Sequence, residues 1–183
     1  MAKYKRDNVY TMKLQNRKHM VAVAIFVMTL ALDIITKYLV ETNIARGERI
    51  DVMGSFVQLT LLYNDGGVFG ILRGHQTFFL IVSIMVFILL VGFYILEPGK
   101  TWLFTVAMSL VFSGAIGNIL DRVSGKPGVV DFIYIGSDSV FRWPAFNVAD
   151  SVIVMGATML IINVIFEYNE EKRKKEEQGT EQG

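Results

Sequence analysis

Apolar residues fall into four long blocks along the chain, and in three of these the polar residues gather toward one end. Residues 77 to 96 (TFFLIVSIMVFILLVGFYIL) are twenty in succession without a charge. At about 1.5 Å of rise per residue they predict a helix as long as the roughly 30 Å hydrocarbon layer is thick. Runs at about 20 to 40, 101 to 121 and 147 to 167 have similar length. The pattern predicts a membrane all-α core of four transmembrane helices, and the even number puts both termini on one side. Between the spans, Ile50 to Tyr63 and Val129 to Ile135 mix Val, Ile, Phe, Tyr and Leu in strand-like fashion. A small extracellular sheet resting on the helix ends would pair these edges, in a register the sequence leaves open.

Composition agrees with this reading. Of 183 residues, 52% are hydrophobic and the mean hydropathy is +0.43, too greasy for an ordinary soluble domain. A single membrane-embedded domain is expected over 1–170, with a charged cytosolic tail over 171–183. The stretch from Glu167 onward (EYNEEKRKKEEQGTEQG) reads as a solvated, frayed end. A net charge of +1 carries no footprint of nucleic-acid binding. The placement of charge says more. Eleven basic residues precede the first span, sit in the Glu97–Lys100 turn or crowd the tail, against six in the other connections (Arg46, Arg49, Arg73, Arg122, Lys126, Arg142). That bias puts both termini in the cytosol. A cleaved signal peptide would share the basic start, but an acid and a base at Asp33 and Lys37 do not suit a signal core, and no small-residue cleavage pattern follows. With no cysteines and two histidines, disulfides, thiol catalysis and a zinc cage lack their residues, so no metal or cofactor is expected.

The polar residues of the spans converge on one level. Counting from Met20, Asp33 and Lys37 lie about 20 and 26 Å along the first helix, while Asn118 and Asp121 lie roughly 24 to 29 Å from Trp102. Asn147 and Asp150 open the fourth helix from the same side. Such residues cost about 2.5 to 3.5 kcal/mol at the bilayer centre, so they turn inward and find partners. Asp33 and Lys37 stand at i and i+4 in the favourable order and read as a structural ion pair. Asn147 reads as an N-cap with Asp150 in the first turn, and ordinary capping would account for both. Asp121 and Arg122 are adjacent and need separate partners. Gly114 and Gly117 beside Asn118 allow close backbone approach. Asp131, in an apolar strand-like run, is explained by neither a cap nor a helical pair.

In order, LDIITK (Asp33, Lys37), NDGGVFG (Asn64, Gly66, Phe69), GAIGNILDR (Gly114 to Arg122), VVDF (Asp131) and FNVAD (Phe146 to Asp150) resemble lipoprotein signal peptidase, the bacterial signal peptidase II family, over residues 20 to 165. The resemblance implies an aspartyl protease that removes the signal peptide from diacylglyceryl-modified prolipoproteins, just before the lipidated cysteine, at the outer face of the cytoplasmic membrane. It implies four helices, an extracellular β-cradle and a short interfacial helix. It carries the catalytic pair onto Asp131 and Asp150, with Asn64, Gly66, Gly114, Asn118, Asp121, Arg122 and Asn147 in support. Gly67-Val68 stands where paired alanines are usual, and Ser113 replaces a frequent glycine. The expected partners are the prolipoprotein substrate and membrane lipids, with no nucleic acid, and the expected state is a monomer.

The chemistry suits two carboxylates. Amide hydrolysis needs a base for water and an acid for the leaving nitrogen, and two aspartates sharing one proton supply both. Ionised carboxylates about 4 Å apart would repel by roughly 4 kcal/mol at an effective dielectric near 20, so one stays protonated. Asp150, at a helix N-terminus, is expected to be the base more often, with Asp131 carrying the proton. A serine mechanism is the enzymatic rival, but Ser113 and Ser124 have no nearby histidine in sequence. A transporter or proton relay is the rival from another class, and it would call for polar residues through the full depth of the bundle.

Overall fold

The computed structural model describes residues 2–67 and 74–180, with side chains described over 17–67 and 74–178. In chain order it has α1 (Ala2–Asn43), β1 (Arg49–Met53), β2 (Val57–Asn64), α2 (Gln76–Leu96), α3 (Trp102–Val123), β3 (Val129–Ser137), β4 (Phe141–Arg142) and α4 (Val148–Thr180). All four helices contain a stretch long and apolar enough to cross a membrane: Arg17–Asn43, Gln76–Leu96, Trp102–Val123 and Val148–Gln178. The expected bundle is present. The short interfacial helix has no counterpart among the described residues, and 68–73, including Phe69 of the NDGGVFG stretch, lie outside them.

Local chemistry sets the helix ends. The residue before a proline is disfavoured in the α region, and Glu97, which precedes Pro98, is extended at φ −65°, ψ 113° and closes α2. Gly99 then turns the chain at φ +64°. Thr101 caps α3, its hydroxyl oxygen accepting from the Phe104 N–H at 3.0 Å. The end of α4 departs from the expected frayed tail. The stretch is exposed, yet it stays helical through Thr180, because Glu, Lys, Arg and Gln are good helix formers and pairs such as Lys172 with Glu176 and Arg173 with Glu177 fall at i, i+4.

α3 is the central helix, packed against α1, α2 and α4. Lipid tails are as apolar as leucine, so packing and hydrogen bonds rather than hydrophobicity draw spans together. Small residues serve that purpose here. A Cβ on Gly114 would meet the Ala149 carbonyl oxygen, one on Gly117 the Asp33 carboxylate, and one on Gly156 the Ala107 carbonyl oxygen. Thr101, Thr105, Ser109, Ser113, Gly117 and Asp121 recur every four residues on α3. The Thr105 and Ser109 hydroxyls donate back to the carbonyls one turn earlier. Thr29 of α1 donates to the Ser113 hydroxyl at 2.7 Å. The outward surfaces stay apolar: Ile88, Leu89, Val154 and Val164 are all more than half exposed, as lipid contact requires.

The strands form one four-stranded antiparallel sheet in the order β1-β2-β3-β4. The two stretches expected to pair do so, with Asn64 opposite Val129 and Leu62 opposite Asp131. Successive strand residues face opposite sides. Val130 and Phe132 enter a core cluster with Leu61 of β2 and with Val40 and Ile44 at and just beyond the end of α1. Asp131, between them, turns the other way, toward the start of α4.

Candidate active site

Asp131 and Asp150 both line a cavity of about 750 Å³ bounded by α2, α3, α4 and the sheet. Asn64, Asn118 and Arg122 share its polar end, and Phe79, Val86, Phe87, Leu90 and Val154 extend it as an apolar groove. Each carboxyl is held at both oxygens. The Asn147 side-chain amide donates to Asp131 Oδ1 at 2.8 Å, and the Asn64 amide donates to Oδ2 at 3.2 Å. That second contact is a diagonal one across the β2–β3 ladder, since Asn64 pairs with Val129, two residues before Asp131 on the same face. On α4, the Asn118 amide donates to Asp150 Oδ1 at 2.8 Å and the Asn147 backbone N–H to Oδ2 at 3.2 Å. Asn147 therefore touches both acids.

The Asp150 contact is half of a reciprocal cap. Asn147 Oδ1 accepts from the Asp150 N–H at 2.8 Å while the Asp150 carboxylate accepts from the Asn147 N–H, so two otherwise orphaned donors of the helix start are satisfied. Asp33 Oδ1 takes a third, the Ala149 N–H, at 2.9 Å. Capping and site geometry are thus one arrangement. Asn147 is fully buried, and its Oδ1 is spent on the cap, which leaves its amide to reach Asp131, the Val130 carbonyl and Asn118.

Behind the acids lies an ion network larger than the pair expected from the sequence. Lys37 Nζ contacts Asp33 at 2.8 Å and Asp121 at 2.9 Å and donates to Asn118 Oδ1 at 3.1 Å. Asp121 also takes Lys126 Nζ at 2.9 Å and the Val130 N–H at 3.2 Å, one residue before Asp131. Lys126 in turn reaches Glu41 at 2.7 Å. Burial works against the Lys126 charge, but the Glu41 and Asp121 carboxylates outweigh it and raise its pKa above the ordinary value. Nothing in the sequence marked Lys126 or Glu41, because the residues are 85 positions apart and neither stands in a motif. Arg122 does not pair with Asp121. Its guanidinium donates to the Gly66 and Asn118 carbonyls at 3.3 Å, and its buried Nε has no hydrogen-bond partner among the described residues.

The surroundings of Asp131 favour its protonated form. Asp131 is 4% exposed, and its pKa is pushed up to about 7 by burial first and by the Asp150 charge second, against the hydrogen bonds from Asn64 and Asn147. A carboxyl in that range holds or releases a proton near neutrality. The hydroxyls of the serine rival are committed elsewhere: Ser113 donates to the Leu110 carbonyl and Ser124 to that of Asp121.

Known proteins are similar to this chain in sequence and in fold. A family model described as Signal peptidase (SPase) II matches residues 25–166. The lipoprotein signal peptidase of Staphylococcus aureus strain MRSA252 is 37% identical over 158 residues, 85% of this chain and 93% of the relative, and that of strain JH9 is 36% identical over the same extent. Two bacterial membrane enzyme structures obtained by the in meso method superpose with TM-scores of 0.74 and 0.69 at 35% and 37% identity. They cover 82% and 79% of this chain and 90% and 92% of theirs. With a family match across most of its length and these bundles as structural counterparts, the chain belongs to the signal peptidase II family, a family of aspartic peptidases.

Proposed function

We propose that this chain is a membrane aspartyl endopeptidase that cleaves the signal peptide from diacylglyceryl-modified prolipoproteins immediately before the lipidated cysteine, with Asp131 and Asp150 as the catalytic pair. The observation that carries the assignment is that the two acids line one cavity and are tied together by Asn147. The transporter alternative is not favoured by membership of a peptidase family. It also needs a polar path, and the inner hydroxyls of α3 are turned back onto their own helix.

The reaction follows from the arrangement. Asp150, its oxygens held by Asn118 and by the helix start, takes a proton from water as the water oxygen attacks the scissile carbonyl carbon. Asp131, held protonated by burial, donates its proton to the substrate side of the transition state. That proton goes to the carbonyl oxygen and gives a gem-diol. As this adduct collapses, the C–N bond breaks and the leaving nitrogen takes the proton Asp150 had removed from water. One hydroxyl of the gem-diol returns a proton to Asp131, so the pair again shares one. The apolar groove along Phe79, Val86, Phe87, Leu90 and Val154 suits acyl chains that stay in lipid while the peptide reaches the acids. Arg122 Nε and the remaining amide N–H of Asn118 are the donors left to hold the substrate backbone, since Asn64 gives both of its amide protons to Asp131 and to the Gly67 carbonyl. A buried donor left without a partner costs about 1–3 kcal/mol, and bound substrate would relieve that cost at Nε.

The basic bias of the termini and of the Glu97–Lys100 turn supports a cytosolic location for both termini, with the acids at the outer face of a bacterial cytoplasmic membrane. A single chain carries every side chain used here, in keeping with a monomer. The test is to supply the purified chain with a diacylglyceryl-modified precursor and follow its size. Asp131→Asn and Asp150→Asn are each expected to abolish processing, and processing that survives in either variant overturns the pair.

A further inference from the structure

A second polar cluster lies at the opposite end of the bundle. Lys18 stands roughly 28 Å along α1 from Lys37, about the thickness of the hydrocarbon layer. Its side chain is buried, at 9% exposure, and Nζ donates to the Lys100 carbonyl in the α2–α3 turn at 2.5 Å. Lys100 Nζ donates to the Glu97 carbonyl at 2.5 Å and lies 5.2 Å from the centre of the Tyr94 ring. Together with His19, Ile95 and Gly99, these residues line a cavity of about 470 Å³. The site described above uses none of them.

The two lysines present an unresolved charge. An ammonium has three N–H donors, and each of these directs one at a backbone carbonyl. Among the described residues no carboxylate pairs with either. Glu97, the acid of the same turn, offers Lys100 its main chain. Two cations converging on one concavity at the edge of the hydrocarbon layer repel each other unless an anion joins them. At that depth a bilayer supplies phosphodiester groups, and basic pockets between spans bind such headgroups.

We propose that this cavity binds the phosphate of an anionic phospholipid, with Lys18 and Lys100 as charge-assisted donors and His19 as a further N–H donor. Ile95 and the Tyr94 ring line the side along which the glycerol and the first acyl carbons run. The site requires only that the helices cross a bilayer, and it stands apart from the aspartate pair.

The experiment is native mass spectrometry of the intact chain in neutral detergent, titrated separately with phosphatidylglycerol and phosphatidylcholine. Phosphatidylglycerol should be retained more tightly, with its affinity reduced about fivefold in Lys100→Met and about 25-fold in the Lys18→Met/Lys100→Met double variant. Phosphatidylcholine binding should not change. Lys100→Arg, which keeps the charge, should bind phosphatidylglycerol as the parent does. Equal retention of the two lipids, parent-like phosphatidylglycerol affinity in Lys100→Met, or loss in Lys100→Arg overturns the proposal. Displacement of the lipid by millimolar inorganic phosphate would also overturn it, assigning the site to a free anion. Precursor cleavage by Lys100→Met should stay at the parent level, so that a failure of the peptidase reading and a failure of this one are told apart.

Discussion

Replacing Lys37 with methionine keeps the length and apolar stem of the side chain and deletes one charge from the most buried ion cluster of the molecule. Side-chain exposures of 3% for Lys37, 1% for Asp33 and 7% for Asp121 leave water no access to compensate. Removing one partner of a buried ion pair costs about 3–5 kcal/mol, because the other charge is stranded. The structure says where that cost falls. Asp121 would retain Lys126 and the Val130 N–H, whereas Asp33 would retain the Ala149 N–H on one oxygen and nothing on the other. Asp33 therefore carries most of the penalty, and adding Asp33→Asn to Lys37→Met should recover about half of it, a coupling within the range of about 0.5–3 kcal/mol found for contacting residues.

The assay is reversible unfolding in mixed micelles titrated with a denaturing detergent, followed by the fluorescence of Trp102 and Trp143. The exposed pair of Arg49 and Asp138, at 43% and 64% exposure, provides an internal control. Arg49→Met should cost about 1 kcal/mol or less. A loss below about 1 kcal/mol in Lys37→Met, or strict additivity with Asp33→Asn, would refute the account of a stranded charge.

Three further outcomes follow from Asp131 and its neighbours. With its pKa raised to about 7 by burial and then by Asp150, kcat/KM for precursor cleavage should fall about tenfold per pH unit above that midpoint, and a flat profile from about pH 6 to 9 would contradict the shared proton. The same shift makes Asp131 take up a proton on folding, so its contribution to stability is complete below the unfolded value of 3.8 and is lost as pH rises through about 7; Asp131→Asn should remove that dependence from the unfolding curves. Asn147→Asp keeps an oxygen for the helix cap but replaces a donor to Asp131 with a third carboxyl, so the alkaline midpoint should move upward, and a midpoint that stays or falls would show that the amide does not tune the acid.

Much of this protein is written in local pattern. Hydropathy and length locate the start of all four spans, and the end of all but the fourth, to within a few residues, since a helix satisfies its own backbone in lipid whatever surrounds it. Helical rise puts Asp33, Lys37, Asn118 and Asp121 at one depth. The Asn147 cap is legible because capping involves residues three apart. The tail departs from its pattern for an equally local reason: its polarity predicts fraying, while its Glu and Lys content sustains a helix.

Tertiary structure decided the partners. Whether Asp121 answers to Lys37, Lys126 or Arg122 depends on how α1, α3 and the loop after α3 pack, and contacts 81 to 85 residues apart leave no trace in spacing. The register of β2 against β3 decided that Asn64 meets Asp131, and a slip of one residue would have turned the acid into the apolar cluster of Val130 and Phe132. The sequence by itself determined which residues share a level of the membrane, because depth accumulates along one chain; which of them touch was left to packing between chain segments, where small residues set how closely the helices approach.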